Sequence, residues 1–228
     1  MPLGVDEAGK GPALGSMFAA AVHCDDPDTL PAGIADSKRL APARREALAA
    51  TLREDDRIAV GVAEITVARI DDPGTDMNSL AVAAHAEAIA DAVGGLEPGE
   101  PGAAADPLAG LCDACDTDAD RFARRVTEAC TKALEIPLEL DARHGADDES
   151  AIVGAASVVA KVERDAHVAA LADEYGPVGS GYPSDPTTRE FLESYVDEHE
   201  RLPLCARESW STCRDVLAAA QQTGLEQF

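Results

Sequence analysis

Apolar residues along the chain recur in two rhythms, short continuous runs and helical spacings. Residues 2–6 form a short apolar stretch that ends on Asp6, and SMFAAAVHC (15–23) reads as a second, buried strand. APARREALAATLRE (41–54) places apolar residues on one helical face with Pro42 in its first turn. RIAVGVAEITV (57–67) is a third strand, and MNSLAVAAHAEAIADAV (77–93) an alanine-rich helix. LCDAC (111–115) is a short strand carrying Asp113, followed by a helix over 119–134 and a strand over 136–143. Residues 150–176 form one long helix whose first half is apolar enough to be buried, GSGYPSDP (179–186) is a turn cluster, and the remainder is helical. The order of strands, then helix–strand alternation, then helices predicts an α/β fold with a mixed β-sheet, helices on its faces and a C-terminal helical segment. The expected division is a sheet-containing domain over 1–178 and a helical segment over 179–228 packed on it. The Gly-, Pro- and Ala-rich stretch 94–110 reads as a loop insertion within the first.

Charge changes the picture more than length does. The 228 residues carry 43 Asp and Glu against 19 Lys and Arg, a net charge of −24. Such a field repels nucleic acid in ordinary buffer. The acids recur throughout the chain, at 25–28, 53–56, 116–120 and 147–149, between segments that can build a core. Four lysines (10, 38, 132 and 161) and a dense acidic surface point to a protein adapted to molar salt. At about 1 M salt the Debye length is roughly 3 Å, so self-repulsion is screened. Aromatic content is only 4%, so the core is expected to consist of Ala, Val, Leu and Ile. No apolar stretch is long enough to span a bilayer, and the start lacks a basic region followed by an apolar one. A cytoplasmic location is expected.

The six cysteines (24, 112, 115, 130, 205 and 213) are expected to be free thiols. Cys112 and Cys115 form a lone C-x-x-C with no second pair at metal-binding spacing. A zinc or thiol protein built on these two is one alternative function. A non-catalytic acidic module that binds cations or basic partners is another.

GVDEAGKGP (4–12) comes one residue short of a phosphate-cradling P-loop. That reading fails because Gly11 stands where the magnesium-holding Ser or Thr belongs, because Gly11-Pro12 leads into a strand rather than a helix, and because Asp6 and Glu7 stand where amides should meet phosphate. Two acids at a strand end followed by a glycine-flanked lysine suggest a seat for a hard cation beside a close backbone approach. Neighbouring strand residues point to opposite faces, so Asp6 and Glu7 share an ion only if the strand ends or bends there.

DEAGKGP (6–12) resembles the DEAGRGP signature of ribonuclease HII in its archaeal form. The resemblance continues in order through DSKRL (36–40), Asn78, DACDTDADRF (113–122), HGADDESAIVGAASVVAKVERD (144–165) and GSGYPSDPTTREFLESY (179–195), and so covers nearly the whole chain. It implies a ribonuclease H-like fold and an endoribonuclease that cuts the RNA strand of RNA–DNA hybrids and cuts duplex DNA 5′ of an embedded ribonucleotide. It implies Mg2+ or Mn2+, a two-metal mechanism, and roles in replication and repair. Four carboxylates carry the implied chemistry: Asp6, Glu7, Asp113 and Asp147, with Asp148 and Asp116 as confusable neighbours. Gly9, Lys10 and Gly11 match the loop that reads the 2′-hydroxyl, Ser37 and Lys38 a phosphate-contacting pair, Lys161 a helix lysine near phosphate, and Tyr182 a sugar-stacking tyrosine. Lys10 departs from the family's arginine and lacks its bidentate fork. His144 is a candidate auxiliary group for product release or proton transfer, with a structural hydrogen bond as the equal alternative; His85 carries no chemical signal. The related ribonuclease HIII type usually adds an N-terminal substrate-binding domain. A monomer is expected, and the C-terminal GLEQF (224–228) resembles a sliding-clamp-binding tail only faintly, reading first as a frayed helix end.

Overall fold

The computed structural model describes residues 2–34, 40–95, 107–134 and 136–225, with side chains as far as residue 222. Ser37, Lys38, most of the 94–110 insertion and the end of the GLEQF tail lie outside the described residues. Five strands form one sheet: β1 (Leu3–Ala8), β2 (Met17–His23), β3 (Ala59–Ile65), β4 (Leu108–Asp113) and β5 (Leu138–Arg143). Their spatial order is β3-β2-β1-β4-β5. β1 runs antiparallel to β2 and parallel to β4, and β4 runs parallel to β5. The helices are α1 (Pro42–Glu54), α2 (Val67–Ile70), α3 (Met77–Val93), α4 (Ala119–Thr131), α5 (Ala146–Glu149), α6 (Ala151–Tyr175), α7 (Pro186–His199) and α8 (Ser211–Leu225). None of them is long and apolar enough to cross a membrane.

The residues group into two compact units. One comprises Met1–Ala8, Phe18–Glu64 and Met77–Glu163; the other comprises Gly9–Met17, Ile65–Asp76 and Arg164–Phe228. The first unit contains nearly all of the sheet. Its core is made of small and branched residues, among them Ala20, Val22, Leu48, Leu52, Ile152, Val153, Ala156 and Val159. The scarcity of aromatics is met by close approach. A Cβ on Gly4 would stand 2.5 Å from the Ile152 carbonyl carbon and oxygen, so the first turn of α6 lies directly on the β1 backbone. The second unit has its own core of Leu14, Leu171, Val178, Leu192, Val196 and Cys213. Tyr175 meets Phe191 and Tyr195 edgewise, and those two rings are tilted against each other. The side chain of Asp185 caps α7 by accepting from the Thr187 N–H.

Three differences from the sequence pattern have physical causes. β4 begins at Leu108, inside the stretch read as loop, because Leu108 and Ala109 pair with Leu138 and Glu139 of β5. That pairing is non-local and invisible to local composition. β1 runs on through Glu7 to Ala8, which pair with Ala19 and Phe18. The expectation that the strand stops at Asp6 is therefore corrected. The short helix α5, whose preceding Gly145 adopts φ 71°, is too brief to leave a periodic signal.

Candidate active site

Asp6 and Glu7 lie near the carboxyl end of β1, and Asp113 is the last residue of β4. Val5 pairs with Cys112 in the parallel ladder, so one further step sets Asp6 beside Asp113 at the same sheet edge. Parallel neighbours end together, and this is where open α/β sheets carry their ligands. Asp147 arrives by a third route. β5 ends at Arg143, opposite Asp113, and the chain turns through His144 and Gly145 into α5. The Ala146 N–H donates to Asp113 Oδ1 at 2.7 Å, which ties the start of α5 to the end of β4. Asp147 follows directly and is buried, whereas Asp148 is exposed. Asp116, the other confusable acid, is occupied by Arg121 at 2.5 and 3.3 Å, which holds its carboxyl down at about 2.

Since β1 continues past Asp6, its two acids take opposite faces. Asp6 is buried and hydrogen-bonded to Ser157 of α6, and it also accepts the Glu7 N–H at 2.7 Å. Glu7 instead faces α3, where its Oε2 lies 3.6 Å from His85 Nε2. Burial first, then the neighbouring Glu7 and Asp113 carboxylates, pushes the Asp6 carboxyl well above the usual range, against the lowering effect of Ser157. This corner therefore concentrates negative charge that an added cation would relieve.

All four acids offer oxygen donors, which suit a hard divalent ion. Among the described residues, no group of three or more His, Cys, Asp or Glu side chains is set to hold an ion by itself. Magnesium keeps several waters and commonly takes one or two carboxylates together with substrate phosphate oxygens. The donor set fits an ion bound in that shared way better than one caged by the protein alone.

His85 is the group that the sequence does not flag. It is fully buried, its Nδ1 lies 2.9 Å from the Ala81 carbonyl, and its ring stands edge-on to Phe122 with centroids 4.9 Å apart. A polar ring within an alanine-rich buried face is the one signal that could have marked it. His144 is exposed, with Nδ1 3.0 Å from the Ala114 carbonyl. A carbonyl only accepts, so Nδ1 carries the proton and Nε2 is the basic nitrogen of the neutral ring. Lys161 is exposed on α6.

Gly9, Lys10, Gly11 and Tyr182 belong to the second unit. Gly9 has φ 90°, and a Cβ there would meet the Ser16 carbonyl oxygen at 3.0 Å and Arg164 Cδ at 3.1 Å, so no other residue fits without strain. Gly11 is exposed, and a Cβ on it would stand 3.5 Å from the Tyr182 ring. Tyr182 itself is 45% exposed. None of the six cysteines is in a disulfide. Cys112 is fully buried, and burial pushes its thiol far up, which makes it a poor nucleophile or metal ligand.

A family model described as ribonuclease HII matches residues 3–213. The chain is 57% identical to the ribonuclease HII of Haloarcula marismortui over 228 residues, 100% of both chains. Among solved structures, the ribonuclease H2 of Pyrococcus horikoshii superposes with a TM-score of 0.82 at 32% identity, covering 96% of this chain and 98% of that one. The ribonuclease HII of Archaeoglobus fulgidus, solved in complex with PCNA, gives 0.79 at 32% identity over 95% and 96%.

Proposed function

Because this chain belongs to the ribonuclease HII family and is a ribonuclease H enzyme, we propose that it is a divalent-metal-dependent endonuclease. It hydrolyses the RNA strand of RNA–DNA hybrids and cuts duplex DNA 5′ of an embedded ribonucleotide, leaving 3′-hydroxyl and 5′-phosphate ends. The observation that supports this best is the meeting of Asp6 and Asp113 at the carboxyl ends of adjacent parallel strands, with α5 and Asp147 tied to Asp113 through the Ala146 N–H.

In this reading, Asp6, Asp113 and Asp147 would hold Mg2+ or Mn2+, and Glu7, on the opposite face of β1 beside α3, would serve a second ion rather than share theirs. The bound ions would lower the pKa of water and neutralise charge on the phosphate oxygens. The remaining work falls to the protein. Asp113 orders α5 through Ala146, and Ser157 keeps the Asp6 carboxyl in one orientation. His144, its ring held through Nδ1 by the Ala114 carbonyl, would serve as an auxiliary group for product release or proton transfer. Gly9, Lys10 and Gly11 read the 2′-hydroxyl, the group that separates RNA from DNA, and Tyr182 offers an exposed face to the adjoining sugar. Ser37, Lys38 and Lys161 bear on phosphate. Screening at molar salt weakens phosphate contacts, so the 2′-hydroxyl and stacking contacts carry more of the binding here. A sliding clamp is proposed as a partner by likeness to the Archaeoglobus protein.

The test is cleavage of a labelled DNA duplex with one ribonucleotide, in molar potassium chloride with Mn2+ or Mg2+, with Asp113→Asn beside the wild type. A single cut 5′ of the ribonucleotide, absent in the variant, is expected. No cut in any salt or metal would overturn the proposal and bring forward a non-catalytic binding module.

A further inference from the structure

Arg207 is fully buried although nothing in its sequence surroundings, PLCARESW, marks it out. An ionised side chain is costly to bury unless its donors are satisfied. This one spends them on a single loop. Its Nη2–H donates to the Gly9 carbonyl at 2.6 Å, its Nη1–H to the Lys10 carbonyl at 3.0 Å and its Nε–H to the Gly15 carbonyl at 2.8 Å. The guanidinium lies over the Trp210 ring, 4.8 Å from its centroid, and Trp210 Nε1–H donates to the Gly11 carbonyl at 3.1 Å. Two side chains thus hold all three carbonyls of Gly9-Lys10-Gly11.

Peptide planarity gives that arrangement a consequence. In a trans peptide the C=O of one residue and the N–H of the next point in opposite directions, and the described residues contain no cis bond. With the Gly9 and Lys10 carbonyls drawn to Arg207, the N–H groups of Lys10 and Gly11 are directed away from it. The third captured carbonyl precedes Pro12, which has no N–H. A carbonyl bound to a cation also polarises its own peptide, strengthening the N–H on the other side as a donor. The exposed Gly11 of this loop lies beside the ring of Tyr182, which belongs to the turn before α7.

We propose that Arg207 and Trp210 are positioning residues for substrate selection: they capture the loop carbonyls so that the Lys10 and Gly11 N–H groups are presented as donors to a ribose hydroxyl. The inference rests on the reading of Gly9-Lys10-Gly11 as the substrate loop and extends it to the residues that set its geometry. It accounts for the tolerance of lysine at position 10, because the recognition is carried by main chain that the side chain at 10 does not orient. It also suits molar salt, since a buried cation–carbonyl contact is screened far less than an exposed one.

Two variants test it. Trp210→Phe keeps a ring beneath Arg207 and deletes the N–H that holds Gly11. Arg207→Lys keeps the charge and loses the fork that spans three carbonyls. Binding is read by fluorescence anisotropy in EDTA and molar potassium chloride, with a DNA duplex bearing one ribonucleotide and with the matching all-DNA duplex. In Trp210→Phe the preference for the ribonucleotide duplex is expected to fall about three- to tenfold, the worth of one hydrogen bond. It falls further in Arg207→Lys, while affinity for all-DNA duplex and the thermal midpoint of Trp210→Phe stay near wild type. Should Arg207→Lys not fold, Trp210→Phe alone decides. An unchanged preference in folded Trp210→Phe, or an equal loss on both duplexes, overturns the inference. A wild type without ribonucleotide preference overturns instead the substrate-loop reading, and the inference with it.

Discussion

Replacing Asp113 separates two tasks that one carboxylate performs. It contributes charge at the sheet edge, and its Oδ1 accepts the N–H of fully buried Ala146 at 2.7 Å, seating α5 and Asp147. Asp113→Asn keeps an acceptor oxygen and loses the charge; Asp113→Ala loses both. A hydrogen bond to a charged group contributes about 1.5–3 kcal/mol, and a neutral one about 0.5–1.5. The alanine variant therefore loses about 2–3 kcal/mol, because the buried Ala146 N–H is left without its acceptor. For a chain of this size that lowers the thermal midpoint by about 4–12 °C. The asparagine variant gives up only about 1 kcal/mol of charge assistance. Removing the Asp113 charge also relieves the repulsion that raises Asp6, which offsets the loss. Its midpoint is expected within about 3 °C of wild type. Activity should nevertheless fall in both, by about 10²–10³-fold or more, the usual cost of removing one preorganised electrostatic group. Calorimetry and the single-ribonucleotide cleavage assay, both in molar potassium chloride, measure the two effects. An alanine variant as stable as the asparagine one would refute the tether, and an active asparagine variant would refute the need for charge at 113.

Three further outcomes follow from the same geometry. His85→Phe preserves the edge-on contact with Phe122 and removes the nitrogen facing Glu7; cleavage should fall at least several-fold and Mn2+ binding by calorimetry should weaken, with the thermal midpoint within about 3 °C, whereas unaltered cleavage would make the ring plain core packing. Gly4→Ala drives a methyl into the Ile152 backbone; the overpacking should cost about 1–3 kcal/mol and lower the midpoint by about 2–12 °C, and a midpoint at the wild-type value would show that α6 can move off β1 freely. Tyr182→Ala, at an exposed ring with little to lose in stability, should reduce substrate affinity in molar salt more than Lys161→Ala does; the reverse order, measured by anisotropy, would sink the view that stacking outlasts phosphate contacts as salt rises.

Local sequence determined the elements and the chemistry on offer. The apolar run of β2, the helical spacing of α1 and α3 and the long α6 are each legible because their periodicity is local, and the ordered motifs from Asp6 to Tyr182 identify the family that the comparisons then show. Sequence also sets the unusual charge and the small-residue core. Tertiary structure decided what depends on partners distant along the chain. β4 starts at Leu108 because β5 pairs with it, and β1 runs past Asp6 because β2 does, which sends Asp6 to Ser157 and Glu7 to His85. Asp147 is buried where Asp148 is exposed, and an arginine occupies Asp116, differences that spacing cannot reveal in a chain with 43 acids. His85 and Arg207 escape a sequence reading for the same reason. Each makes a contact more than seventy residues away, 78 for His85 with Glu7 and 198 for Arg207 with Gly9, and only the folded chain brings such positions within hydrogen-bonding or ion-pairing range.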